Sequence, residues 1–242
     1  MKAVILAGGK GTRGKPYTDF FPKAMIPLND KPLIDYIVNY LSSFNFIKEI
    51  IIISDFKGLG GQIKNYLETY SHTKKISFVQ DSQSGTAGDL LHIRKKLNDS
   101  SEFVLWFVDN LSAIDLKEML HTFKKKKSWA CIATRTKRKE DTGFALVRDG
   151  IITEFKEKPT IKLKMSECLG VYILETRLLN KIKPKSNQND INLSFDILQD
   201  LSKKGLVSAY DIGNTPWVGV ESPVIIDRNQ SLIKKIIKQM ER

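Results

Sequence analysis

Cysteine is scarce in this 242-residue chain: only Cys131 and Cys168 are present, far apart and without metal-ligand spacing. That excludes a disulfide scaffold and a Cys/His zinc site, and it points to a reducing cytoplasm. Histidine is also scarce. His72, His92 and His121 lie in or near segments of helical pattern, without a serine or cysteine partner at a telling position. All three read as structural, and no nucleophile-and-base pair is evident. No apolar run approaches the ~18 residues of a membrane helix. The first apolar run is short and ends in glycines, unlike a signal peptide. Internal repeats, low-complexity linkers and Pro/Gly-rich hinges are missing as well. Lysine-rich clusters at 124–127, 135–139 and 234–238 contribute to a net charge of +12, yet aromatic residues are not interleaved with them. No helix-turn-helix, zinc-finger or RNA-binding motif accompanies them, so a nucleic-acid partner is not expected. Part of the charge suits small phosphorylated molecules instead.

What the chain does have begins at its second residue. Val4 to Ala7 is apolar, as a buried strand requires. Gly8, Gly9 and Gly11 follow at once. Glycine accepts positive φ and lets peptide N–H groups converge on phosphate oxygens. Arg13 and Lys23 bring two fixed cations to the same loop, so the stretch reads as a triphosphate site. Apolar runs then alternate with amphipathic segments. Strands are predicted at 49–54, 76–80 and 103–108, and helices at 57–70, 86–97 and 114–123. Such alternation implies right-handed crossovers and a mostly parallel sheet, with ligands beyond the carboxyl ends of its strands. Short strands are predicted at 130–134, 144–147, 151–155 and 169–174, and helices at 195–203 and 231–238. The expectation is one α/β domain, Rossmann-like, with a first half to about residue 127 and a second half from about residue 128.

Two patterns compete for the opening loop. Gly9 to Lys15 matches the start of a P-loop, but the next position must carry a hydroxyl for magnesium. Here it is Pro16, which has neither hydroxyl nor N–H. The second pattern is longer. Leu6, Ala7, Gly8, Gly9, Gly11, Thr12, Arg13, Pro16, Thr18, Pro22 and Lys23 fall in register with the signature of the sugar-phosphate nucleotidyltransferases. The chain resembles that family without a gap, although Gly14 and Tyr17 stand where leucine is usual.

The resemblance extends downstream and implies roles. It implies the nucleotide-diphospho-sugar transferase fold, and a reaction of an NTP with a sugar 1-phosphate that gives an NDP-sugar and pyrophosphate. Leu6 to Thr12 and Arg13 would hold the nucleotide, with Arg13 and Lys23 acting on the phosphates. Gln80, Gly85 and Thr86 would face the base. A glutamine amide offers a donor and an acceptor, which leans towards UTP or dTTP. Asp109 ends the 103–108 strand and would bind Mg2+. Asn110 beside it, Gly143, Gly170 and Tyr172 fall at sugar-contact positions. Glu157-Lys158-Pro159 matches the tripeptide whose glutamate holds sugar hydroxyls and whose lysine holds the sugar phosphate.

One departure stands out. Relatives carry Trp-x-Asp-x-Gly-Thr-Pro, whose aspartate is the second magnesium ligand. This chain has Trp217-Val218-Gly219-Val220-Glu221-Ser222-Pro223. Gly219 cannot bind metal through a side chain. Glu221, two residues on, shares its face in a strand and could substitute; Asp211 is another candidate. Other readings therefore stay open: a silent homologue that binds nucleotide and regulates a partner, a P-loop-like kinase or NTPase, and a nucleic-acid binder. The pattern leaves a homo-oligomer open too.

Overall fold

In the computed structural model, which describes residues 1–9, 11–182 and 190–241, the opening apolar run forms β1 (Lys2–Leu6). One-turn helical segments at Thr12–Gly14, Tyr17–Asp19 and Lys23–Met25 follow. Then come a small hairpin, β2 (Pro27–Leu28) with β3 (Lys31–Pro32), and the helix α1 (Leu33–Ser42), for which there was no expectation. Strands and helices next alternate: β4 (Glu49–Ser54), α2 (Gly61–Glu68), β5 (Lys75–Gln80), α3 (Gly85–His92), α4 (Arg94–Leu97) and β6 (Glu102–Phe107). The chain continues through β7 (Asn110–Ser112), α5 (Leu116–Lys126) and β8 (Ala130–Lys139). A hairpin of β9 (Phe144–Arg148) and β10 (Ile151–Lys156) leads into β11 (Thr160–Glu175). A wide helical turn at Leu193–Leu198 runs into α6 (Gln199–Lys203). Strands β12 (Val207–Asp211) and β13 (Trp217–Gly219) and helices α7 (Pro223–Arg228) and α8 (Gln230–Met240) complete it.

Seven strands form one sheet in the order β12-β8-β11-β6-β1-β4-β5. β1 pairs parallel with β4 and β6, and β5 is parallel to β4. Only β11 runs against its neighbours β6 and β8. Period-two alternation sends Ile5, Ile52 and Trp106 to one face, against Ile34 and Leu41 of α1, Phe123 of α5 and Ile236 of α8. Val4, Leu6, Ile51 and Leu105 go to the other face, against Leu90, Leu97 and Leu201. Both faces are covered, which is why these strands read as continuous apolar runs. Strands from both halves of the chain share this sheet.

Several boundaries differ from expectation, among them that of β8, which runs on to Lys139, and three have a local physical cause. The helix expected at 57–70 starts only at Gly61, because 55–60 is a tight turn. A Cβ on Gly60 would lie 2.6 Å from the Asp55 carbonyl oxygen. The helix expected at 86–97 breaks at Ile93 (φ −89°, ψ 3°), whose side chain packs with Leu90 and Leu97 in one core. The strand expected at 169–174 starts much earlier, at Thr160, since its outer part pairs with β8 through backbone while exposing most side chains.

Candidate functional site

β1 delivers the glycine loop to the middle of the sheet. The Ala7 N–H donates to the Ile53 carbonyl at 2.8 Å, and Ser54 Oγ donates to the Ala7 carbonyl at 3.1 Å. The chain then turns through Gly9 (φ +115°) and Gly11 (φ +58°). Thr18 Oγ1 donates to the Gly11 carbonyl at 2.7 Å and closes the turn. Among the described residues no long helix starts here, only the three-residue turn Thr12–Gly14, unlike a P-loop, in which a helix N-terminus underlies the phosphates. Lys15 points outward and pairs with Asp19 at 3.0 Å. A cavity of about 180 Å³ is lined by Leu6, Ala7, Gly8, Gly9, Gly11, Lys23, Thr86 and Asp109. Residues as far apart in sequence as Leu6 and Asp109 thus line one cavity. Thr12 and Arg13 sit on the exposed one-turn segment that follows.

The charges of this site pair with one another. Lys23 Nζ lies 3.2 Å from Asp109 Oδ2, with side chains only 16% and 28% exposed. Arg13 Nη1 lies 2.5 Å from Glu221 Oε2. The Val220 N–H donates to the Asp109 carbonyl at 2.7 Å, and β13 pairs with β7, so the segment bearing Glu221 is fixed beside Asp109. A Cβ on Gly219 would lie 3.7 Å from Glu221 Cγ. The longer side chain of Glu221 therefore runs alongside the space that an aspartate at 219 would enter. Asp211 is elsewhere. It ends β12, three strands away from β6, or roughly 14 Å at normal strand spacing. It accepts from Thr136 Oγ1 and the Gly213 N–H. Among the described residues, no group of three or more His, Cys, Asp or Glu side chains could hold a metal by itself. Any cation here has carboxylate oxygens from two residues at most.

On the other side of Asp109 lies a polar knot. Asn110 is buried, and its Oδ1 accepts from the Gly170 N–H and from Trp217 Nε1, each at 3.0 Å. Its Nδ2 donates to Asp109 Oδ1 at 2.9 Å and to the Phe107 carbonyl at 3.1 Å. Gly170 must be glycine, since a Cβ would lie 2.1 Å from Asn110 Nδ2. Tyr172 packs on Phe107 with ring centres 5.5 Å apart, and burial pushes its hydroxyl up to about 12. Arg135 stacks 4.6 Å over the Trp217 ring and donates to Glu167 at 2.8 Å. The exposed β9–β10 hairpin brings together Gly143 and Glu157, whose Oε2 lies 3.0 Å from where a Gly143 Cβ would be. Lys158 adopts positive φ (46°) beside them, and its N–H donates to the Thr142 carbonyl at 3.2 Å.

At the ends of β4 and β5, Gln80 Nε2 donates to Asp55 Oδ1 at 2.8 Å. Gly85 has φ +79°, and a Cβ there would lie 1.8 Å from Asp190 Oδ1. Thr86 Oγ1 accepts from the Leu193 N–H at 2.9 Å, so this turn is fastened to the 190–193 segment. Asp89 accepts from the N–H and hydroxyl of Ser82; burial nonetheless raises its carboxyl above the usual range. Sequence reasoning passed over Asp55, Asp81 and Arg135. The signal for Asp81 was its place directly after Gln80 at a strand end.

The family description "Nucleotidyl transferase" matches residues 2–220. A mannose-1-phosphate guanylyltransferase from Arabidopsis thaliana is 33% identical over 190 residues, covering 76% of this chain and 52% of its own length. A UTP–glucose-1-phosphate uridylyltransferase from Synechocystis is 30% identical over 225 residues, covering 85% of this chain and 56% of its own length. The chain thus spans just over half the length of these relatives. A Bacillus anthracis structure assigned as a glucose-1-phosphate thymidylyltransferase superposes with a TM-score of 0.74 at 23% identity, over 100% of this chain and 99% of that one. That likeness gives the nucleotide-diphospho-sugar transferase fold. With the family match running from β1 through β13, the chain belongs to the nucleotidyl transferase family.

Proposed function

We propose that the chain transfers a nucleotidyl group from an NTP to a sugar 1-phosphate and releases pyrophosphate. A sugar-phosphate oxygen attacks the α-phosphorus in line, and the bond from that phosphorus to the pyrophosphate breaks. Both reactants are anions, so positioning and charge neutralisation carry the chemistry and no protein nucleophile is needed. The observation that carries this reading is the pairing of Lys23 with Asp109 and of Arg13 with Glu221 around one glycine-walled cavity. Each carboxylate holds a cation at the place where phosphates would arrive. Lys23 and Lys158 hold the two reacting phosphates against their repulsion, and Arg13 holds the leaving pyrophosphate. Glu157 and Gly143 flank the sugar hydroxyls, and Asn110 with Gly170 and Tyr172 forms the wall behind them.

The donor set fits Mg2+: Asp109 and Glu221 offer hard carboxylate oxygens and would hold it. When bound, the metal supplies alignment and further neutralisation of the triphosphate. Arg13→Ala and Lys23→Ala are each expected to lower pyrophosphate release about 10²-fold or more, with melting temperatures close to wild type. Wild-type turnover in both variants would overturn the proposal. Gly219 favours a second reading, binding without turnover; a nucleotide-bound chain that releases no pyrophosphate with any sugar 1-phosphate would establish it. The lean towards UTP or dTTP rests on Gln80, whose Nε2 also donates to Asp55 Oδ1.

A further inference from the structure

Past the main sheet, β8 and β11 run on with β9 and β10 as one antiparallel ribbon. Lys137 pairs with Lys162 and Lys139 with Thr160 near its base, and Phe144 pairs with Lys156 and Arg148 with Ile151 near its tip. Between them the Glu140 N–H donates to the Pro159 carbonyl at 2.9 Å, and the Lys158 N–H to the Thr142 carbonyl at 3.2 Å. Every residue from 141 to 158 is exposed. Six of them are large and apolar, at 41–68% exposure: Phe144, Leu146, Val147, Ile151, Ile152 and Phe155. A bare two-stranded hairpin is marginal in water, and apolar surface gathered in this way marks an interface. Its two edges differ. β10 is guarded by a bulge between Ile152 and Glu154 and by the Glu154–Lys156 ion pair at 2.7 Å. β9 has neither guard. Phe144-Ala145-Leu146-Val147 is uncharged and unbulged, and among the described residues it pairs with β10 alone.

The ribbon turns through Asp149 and Gly150, both at positive φ (48° and 78°), a two-residue turn that closes Arg148 and Ile151 as a hydrogen-bonded pair. The Leu146 carbonyl also faces β10, where it accepts from Thr153 Oγ1 at 3.2 Å. Alternation then turns the N–H and C=O groups of Ala145 and Val147 to the open edge. We propose that this edge is the contact with a second copy of the chain. Two β9 strands pair antiparallel about a two-fold axis at Leu146 and make one four-stranded sheet. In that register Ala145 and the partner's Val147 exchange both backbone bonds. The two Leu146 side chains meet at a non-hydrogen-bonded position, and Arg148 lies opposite the partner's Phe144. No like charges oppose one another on this strip, whereas the net charge of +12 repels a second copy elsewhere. A lipid surface would instead meet Arg148 and Asp149 first, at the tip. The contact stands whether or not the chain transfers a nucleotidyl group.

Sedimentation equilibrium of the whole chain over a concentration series tests it. A reversible monomer–dimer equilibrium is expected, tightening as salt is raised because screening removes the repulsion between two basic copies. Leu146 meets its own counterpart at the axis. Leu146→Lys and Leu146→Asp should therefore each weaken association about tenfold or more, through the lost leucine contact and the like charges opposed there. An equimolar mixture of the two should regain it, since opposite charges then meet. Leu146 is exposed, so both variants are expected to melt near wild type. A chain that stays monomeric up to about 0.2 mM, weaker than any specific interface, would overturn the proposal. So would folded variants that dimerise like wild type, or a mixture that remains monomeric. Monomers that sediment with phosphatidylglycerol vesicles at low salt would assign the ribbon to a membrane surface instead. If neither variant folds, the wild-type salt series still decides, since dimers that dissociate as salt is raised rest on charge pairs and not on this edge.

Discussion

Gly219 and Glu221 lie side by side at the end of the site that holds Asp109. Both lie beside the Asp109 backbone, and the Glu221 methylenes pass 3.7 Å from the missing Cβ of residue 219. If Glu221 supplies the second carboxylate, Glu221→Gln should raise the magnesium needed for half-maximal pyrophosphate release. It should also diminish the stabilisation that magnesium adds to the nucleotide-bound chain in thermal melts. Adding Gly219→Asp to Glu221→Gln should restore both, with only the Trp217 ring edge, 3.1 Å from the new Cβ, needing to shift. A magnesium response that neither substitution alters would remove this segment from the metal site. Gly85 has no such latitude. Its positive φ and the crowding from Asp190 make Gly85→Ala strained by about 1–3 kcal/mol. Denaturant unfolding should show that loss, accompanied by weaker nucleotide binding because Thr86 and the 190–193 segment shift with it.

At the scale of elements, Asn110 ties three strands: its own β7, β11 through the Gly170 N–H, and β13 through Trp217 Nε1. Asn110→Ala leaves these two half-buried donors without a protein acceptor, at up to about 1–3 kcal/mol each. The expected result is a lower denaturation midpoint together with impaired turnover, since β13 carries the chain to Glu221. An unchanged midpoint would show that water or a shifted strand takes up the bonds. This knot also marks the limit of what the sequence discloses. Fully buried strands such as β4 and β6 were legible because both faces are apolar. The outer part of β11 was not, because its pairing with β8 is made by backbone and its side chains alternate without an apolar run. α1 was passed over although eight of its ten residues are buried and Asp35, Asn39 and Ser42 recur at helical spacing on one face. The glycine loop, Lys23 and Asp109 were legible as a linear signature. Asp55 was not, because the fold alone brings Gln80 to it, and for Asp81 only its place after Gln80 was visible, not its contact with Gly8.

On the scale of the molecule, the two ends of the sheet divide the work. The carboxyl ends hold the open, mutually paired charges of the site. The amino ends hold a tighter cluster, where Lys2 Nζ lies 3.1 Å from Glu49 Oε2 and 3.0 Å from Asp99 Oδ2. Burial alone would raise the Glu49 carboxyl and lower the Lys2 ammonium. Hydrogen bonds outweigh it in both cases: from Ser77, Lys2 and Lys75 for Glu49, which ends below its usual value, and to Asp99 and Glu49 for Lys2, which ends above. The signs follow by linkage. A lowered carboxyl contributes stability above its ordinary value of 4.5, lost as pH falls through the folded value. A raised ammonium contributes stability below 10.5, lost as pH rises through its own folded value. The cluster thus stabilises the fold across the whole range between. Glu49→Gln should lower the melting temperature at pH 7 and flatten its decline below pH 4.5, while leaving the magnesium response of the nucleotide-bound chain as in wild type. A Glu49→Gln melting curve that still tracks wild type through the acid range would show that carboxylates elsewhere govern acid unfolding. An altered magnesium response would show that the two ends of the sheet are coupled through β1 and β4.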